Sequence, residues 1–149
     1  IAYIDSEYIL KNIPEFTSSQ EEINELSEKW EKEIQEEYLE IERLYQAYQT
    51  EKYLLPEEKK KQMEEGIMDK EEAVQKQKQS LFGPKGKLYE KQKELIMPIQ
   101  DLIYNAIQEY AEKNDYDIIF DKSSDLIMLY YNEEFNISNQ ILDQLGYTY

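Results

Sequence analysis

The chain has 149 residues and a formal net charge of −16, with 40% hydrophobic and 34% charged residues and a mean hydropathy of −0.85. It contains neither Cys nor His, which excludes cysteine nucleophiles, histidine general bases and the usual zinc ligand sets. With 14 Tyr against 4 Gly and 4 Pro, it is too polar for a compact sphere and too aromatic for disorder; an elongated, helix-rich chain that buries only a narrow seam fits better.

The length suits one domain. No run of about 18 apolar residues occurs, so no helix is expected to span a membrane. The sequence starts at Ile1 rather than Met, which implies a trimmed form and leaves room for a removed signal peptide. A chain without Cys is compatible with an oxidising compartment.

At the start, Ile1–Asp5 alternates and is rich in β-formers, which predicts a short strand. A short helix follows from Ser6 and stops before Pro14. Ser18 and Ser19, with Glu21 and Glu22 three residues on, form a capping-box pattern that opens a long helix. Its apolar positions are Ile23, Leu26, Trp30, Ile34, Tyr38, Ile41, Leu44 or Tyr45, and Tyr48. Steps of three and four give one apolar stripe opposite a Glu-rich face.

Two places could turn this helix back. Pro56 followed by Glu57 and Glu58 is a helix start, with proline in the first turn and acids at the positive dipole end. Gly66 followed by Asp69 and Glu72 is the other, a C-cap and a new capping box. Beyond them Ile67, Val74, Leu81, Leu88, Leu95 and Leu102 recur every seven residues, the mark of a continuous seam. Gly83-Pro84-Lys85-Gly86 interrupts that ladder. Local chemistry there says stop, yet the apolar phase runs through it. The segment is therefore expected to be a knee in one helix, bending opposite an intact partner, rather than a hairpin turn or domain linker.

The second long helix should close near Lys113 and Asn114. Asp117–Asp121 and Leu126–Tyr131 are apolar runs joined by Lys122–Asp125, the pattern of an antiparallel hairpin. A short amphipathic helix then starts at Asn136 or Ser138 and ends at Gly146. Three short strands at the two ends of the chain must meet in one small body. Such a body has few core residues and would be completed by oligomerisation.

This order, with "IAYIDSEYIL" at the start and "PIQDLIYNAIQEYAEKNDYDIIFDKSSDLIMLYYNEEFNISNQILDQLGY" at the end, resembles the Skp/OmpH family of periplasmic chaperones over nearly the whole chain. The arms agree in length and pattern rather than residue identity. The resemblance implies an α+β, mostly helical fold: a long antiparallel coiled-coil hairpin on a small β-body completed by trimerisation. Residues 1–18 with 114–149 would be the body and 19–113 the arm, with the tip near 53–57 and the knee near 83–86. Matching "QSLF" and "ELIMPIQ" to the family is what favours Pro56 over Gly66. Such proteins hold unfolded outer-membrane β-barrel proteins in a cavity between the arms of a homotrimer, in the periplasm and without ATP.

A holdase needs adaptable apolar and amphipathic side chains rather than a shaped pocket. Tyr45, Tyr48, Tyr53, Leu54, Leu55, Met63, Ile67 and Met68 are the candidates on the arm. Helical spacing makes Tyr45, Tyr48 and Ile67 equally good seam residues, so Leu54, Leu55 and Met68 are the sharper ones. Tyr3, Ile118, Phe120, Leu126, Met128 and Tyr130 are assigned to the body and its trimer contact. Gly83, Pro84 and Gly86 form the candidate hinge.

Charge is unevenly spread: net −10 over residues 1–51, +3 over 52–93 and −9 over 94–149. Lys76, Lys78, Lys85, Lys87, Lys91 and Lys93 make a basic arm patch, which is either a solvated helix surface or a site for acidic partners. Well-known family members are strongly basic, so general attraction for acidic clients or lipopolysaccharide does not carry over, and the acidic charge disfavours membrane-surface contact. Nucleic acid is not expected as a partner, nor any cofactor, metal or catalytic residue. Carboxylates are everywhere in Glu-rich helices and have no catalytic meaning without a pocket. The competing reading is a coiled-coil adaptor or scaffold gripping one folded partner; a prefoldin-like cytosolic chaperone is a third.

Overall fold

A computed structural model of the protein describes residues 1 to 149. Two compact units divide the chain: Ile1–Glu22 with Lys93–Tyr149, and Ile23–Gln92.

The first unit joins the two ends of the chain. Strand β1 (Ala2–Ile4) pairs in parallel with β2 (Ile119–Asp121), placing Ala2 opposite Ile119, Tyr3 opposite Phe120 and Ile4 opposite Asp121. Asn136 bridges Tyr3 on the other side of β1. Helix α1 (Ser6–Lys11) follows β1 directly, because the Asp5 carboxylate caps it by accepting from the Tyr8 N–H at 3.2 Å. The closing helix α5 (Ser138–Leu145) presents Ile141 and Leu142 inward and ends at Gly146, whose φ of 86° is left-handed. The core is Ala2, Ile4, Ile9, Ile13, Ile137, Ile141 and Leu142, joined by Ile103 and Ala106. The last two belong to helix α4 (Lys87–Lys113), whose residues from Lys93 onward therefore fall in this unit.

Helix α2 (Pro14–Glu51) begins four residues before Ser18. Only Asn12 and Ile13 separate it from α1. Proline at the first helical position gives up an N–H that has no partner there anyway, so the earlier start outcompetes the serine caps. Ser18 and Ser19 lie inside the helix.

In the second unit α2 packs antiparallel on helix α3 (Glu57–Phe82). Its seam holds Ile34, Ile41, Val74 and Leu81, flanked by Trp30, Tyr38, Ile67 and Phe82. Pairings across it fix the direction. Trp30 meets Phe82 edge to face at 6.4 Å, Gln75 Nε2 donates to the Tyr38 hydroxyl at 3.0 Å, and the Tyr48 hydroxyl donates to Glu64. The helices are joined by a 3₁₀ turn at Lys52–Leu54 and by Leu55 and Pro56. Gly66 lies in the interior of α3 with open space around it.

Between α3 and α4 the helix is broken at residues 83–86. The Gly83 N–H still donates to Gln79 O at 2.8 Å, and the Gly86 N–H donates to Gly83 O at 2.9 Å. Gly83 is extended, with φ −67° and ψ 172°, so its role is not a left-handed cap. A Cβ on Gly83 would lie 2.4 Å from Gln79 O, and one on Gly86 2.7 Å from Leu81 O. Both glycines are required because the chain passes so close to carbonyls of the last turn of α3.

The heptad ladder drifts beyond the break. Val74 and Leu81 are buried and Leu88 and Leu95 half-buried, but Leu102 is exposed while Ile103 and Ala106 take the inner face. A straight helix slips about 20° per heptad, so a seven-residue period cannot stay on one face without supercoiling. Pro98 sits inside α4, at an exposed position.

The antiparallel hairpin expected over 117–131 does not form. After Asp121 the Lys122 N–H donates to Ile4 O at 2.7 Å, so the chain continues its ladder with β1. The Asp121 carboxylate accepts from the Ser123 N–H and the Ser6 N–H, which fixes a local turn that leads away from β2. Leu126–Tyr131 forms no strand.

Candidate functional site

Apolar side chains are uncovered at several places, and two of those regions hold the expected contact residues. The first borders the parallel ladder. A cavity of about 360 Å³ is lined there by Tyr3, Phe120, Met128, Tyr130, Tyr131 and Phe135, among others. Tyr3 is buried by its place on β1 between β2 and the Asn136 bridge, and its ring meets Tyr131 edge to face at 5.5 Å. Its hydroxyl is buried with no hydrogen-bond partner. Burial, reinforced by the negative charge of Glu133, pushes that phenol up from its ordinary value. Lys122 Nζ lies 4.2 Å over the Tyr131 ring. Its ammonium is held above its usual range, chiefly by the hydrogen bond to Tyr131.

Of the side chains expected to form the body contact, Tyr3 is buried, Met128 is half-buried, and Ile118, Phe120, Leu126 and Tyr130 are exposed. Tyr3, Phe120, Met128 and Tyr130 come together on the one cavity. Sequence reasoning missed Ile127, Leu129 and Phe135, which are 83%, 96% and 51% exposed. Strand alternation selects every second residue of Leu126–Tyr131; because the segment is not a strand, exposed residues come from both sets, Leu126 and Tyr130 from one and Ile127 and Leu129 from the other.

Polar groups pin this region in place. Asp5 accepts from Ser123 Oγ and from the Tyr8 N–H, and the Asp5 N–H donates to Ser138 Oγ at 2.8 Å. Burial works against the Asp5 carboxylate. The hydrogen bonds from Ser123, Tyr8 and Glu7 and the nearby Lys122 charge outweigh it, and the group titrates below its ordinary value. Asn136 Oδ1 accepts from both the backbone N–H and the hydroxyl of Ser138.

The second region is the end of the helical hairpin. Tyr53 and Leu54 are 80% and 87% exposed, because a 3₁₀ turn at the end of a two-helix seam has no third element to cover it. Leu55 is half-buried, and Lys52 Nζ lies 5.2 Å over the Tyr53 ring. Further along, Tyr45 and Met68 are exposed and Met63 is half-buried. Tyr48 is buried in the seam, and its bond to Glu64 pushes the phenol up to about 12. Ile67 packs against the seam cluster.

Lys76 pairs with Glu72 at 3.4 Å on the surface of α3. Lys78, Lys85 and Lys87 are exposed on and around the break, Lys91 is half-buried, and Lys93 falls in the other unit. No group of acidic side chains converges in a way that could hold a metal ion, and no helix is long and apolar enough to cross a membrane.

The chain resembles known proteins in family pattern and in fold. The family model described as outer membrane protein (OmpH-like) matches residues 1–145. A solved structure from Caulobacter crescentus CB15, described as a candidate OmpH-like outer membrane chaperone, superposes with a TM-score of 0.74 at 12% identity, over 97% of this chain and 82% of that one. At that identity the likeness speaks for the fold alone. No curated protein matches the chain. With 145 residues matched in sequence pattern, the chain belongs to the OmpH-like outer membrane protein family.

Proposed function

We propose that this protein is an ATP-independent holdase of the periplasm. It holds unfolded outer-membrane β-barrel proteins in a cavity between the arms of a homotrimer. The observation that carries the reading is the pairing of a two-helix arm, apolar at its tip, with a small body whose apolar rim is left open by one chain. Ile118, Phe120, Leu126, Ile127, Leu129 and Tyr130 are too many uncovered large side chains for a unit with a two-stranded sheet. A rim of that kind is what contact between copies would bury.

In this reading the strand-forming run Leu126–Tyr131 finds its ladder in a neighbouring copy. Tyr53, Leu54 and Met68 on the arm meet the client, with Tyr45, Leu55 and Met63 beside them. Tyr48 and Ile67 serve the seam and support the others. The basic stretch from Lys76 to Lys93 gives the arm a local attraction for acidic client segments. Client strands alternate apolar and polar residues, so many weak contacts from long, mobile side chains suit them better than a pocket.

Dilution of a urea-unfolded outer-membrane barrel protein into buffer, with and without this protein at micromolar trimer, tests the proposal. Light scattering should be suppressed without nucleotide. Unchanged aggregation would overturn the holdase reading and leave the scaffold alternative, in which one folded partner binds the arms.

A further inference from the structure

We propose that the cavity beside Tyr3 is a socket for a second copy of this chain. The outer side of the neighbour's Leu126–Tyr131 run, with Ile127 and Leu129, fills it, and the Tyr3 hydroxyl donates to a main-chain carbonyl of that run. The contact rests on the homotrimer of the holdase reading and assigns a plug and a socket to it.

One chain does not complete the socket. Tyr3 is 4% exposed, yet its hydroxyl has no partner in its own chain. A buried donor left unpaired is costly, so it favours whatever brings it an acceptor. No Asp, Glu, Lys or Arg lines the cavity of about 360 Å³. A charged occupant would lose its water there and gain no counter-charge. The occupant is therefore an uncharged stretch with free carbonyls. In a chain with 34% charged residues, Leu126–Asn132 is the longest uncharged run outside the helices. It is neither helix nor strand, and no carbonyl from Leu126 to Tyr131 accepts a main-chain hydrogen bond.

The run divides into two roles. Met128 and Tyr130 line the cavity of their own chain. Ile127 and Leu129 do not line it and are 83% and 96% exposed. A run that walls its own socket cannot also plug it, so plug and socket meet only between copies. Two different surfaces on each chain make a heterologous contact, the kind that closes into rings rather than two-fold dimers.

Mixing variants of the full chain in analytical ultracentrifugation tests this. Leu129→Lys spoils the plug and keeps the socket. Phe120→Lys, exposed on β2 and lining the cavity, spoils the socket and keeps the plug. Each alone should sediment as monomer, and an equal mixture should give a heterodimer, because one sound plug meets one sound socket. Should Phe120→Lys lose its helices by circular dichroism, Tyr130→Lys, at an 82% exposed position on the same cavity, takes its place. Tyr3→Phe should weaken the overall trimer constant by roughly 10- to 1,000-fold, one hydrogen bond being lost at each contact of the ring. A mixture that stays monomeric while the native chain is trimeric would overturn the plug and socket. So would a variant that is trimeric alone. A Tyr3→Phe trimer as tight as the native one would overturn the role of the hydroxyl. A native chain that is monomeric at every concentration would overturn this contact and the trimer together. Client takes no part in these measurements, so a native trimer that fails the mixing test leaves the holdase reading standing, and failed aggregation suppression leaves the contact standing.

Discussion

A phenol and a carboxylate help set the register of the hairpin. Tyr48 donates across the seam to Glu64, and that bond pushes its phenol up from 10 to about 12. A phenol raised in the folded state contributes stability in full below its unfolded value and loses it as the pH rises through the folded one. Hairpin helicity should therefore weaken between about pH 10 and 12, followed by circular dichroism, and Tyr48→Phe should flatten that loss. Asp5 works in the opposite sense. Its carboxyl is lowered in the folded state, so its contribution is present above the ordinary aspartate range and lost as the pH falls through the folded value. Asp5→Asn should lower stability at neutral pH and make acid unfolding less steep, read by urea melts across the acid range. Ile141 is fully buried in the body core, together with Ile9, Ile13 and Leu142, so its truncation leaves a cavity there. Ile141→Ala is expected to lose about 2–5 kcal/mol, seen as a lower urea midpoint.

At the scale of elements, Leu126–Tyr131 is the informative case. Leu129 is 96% exposed, so within one chain Leu129→Lys removes nothing. If the proposed homotrimer forms through this run, the effect should instead fall on assembly: unchanged helicity, and a shift from trimer to monomer by analytical ultracentrifugation. An unchanged trimer would remove this run from the contact. The same segment marks where the sequence stopped being legible. Its apolar, β-rich composition is real, but strand formation depends on a partner ladder, and Lys122 hands the chain to β1 instead. The long helices were legible because apolar steps of three and four from Ile23 to Tyr48 leave only one face to bury, and Ile23, Ile34, Ile41 and Tyr48 on that face are the buried residues of α2. The glycine-proline interruption was legible too, though not the reason for its glycines. Close approach to Gln79 O and Leu81 O depends on how the chain folds back, which no local pattern encodes. Among the candidate site residues, helical spacing offered Tyr45, Tyr48 and Ile67 as seam; Tyr48 and Ile67 lie there, and Tyr45 is exposed. It could not separate Leu44, half-buried, from its neighbour Tyr45, exposed, because a stripe only defines a face to within one residue.

For the whole molecule, the decisive contacts link residues that lie far apart in sequence. Ala2 pairs with Ile119 and Tyr3 with Phe120, while Tyr48 and Glu64 meet across a short turn. Closing a loop of more than a hundred residues costs more entropy than closing a helical hairpin, so long-range pairing comes late. In refolding, fluorescence from Trp30, the chain's only tryptophan, should reach its native value before protection of the Ala2–Ile4 amides appears in pulsed hydrogen exchange. Simultaneous signals would contradict that order. The parallel ladder thus sets a timetable on delivery of the chain. Ala2–Ile4 leaves the ribosome before its partner Ile119–Asp121, and it must wait unpaired, with its apolar side chains uncovered, until residue 119 arrives. For that interval, a protein proposed to shelter unfinished chains is itself an unfinished chain in need of shelter.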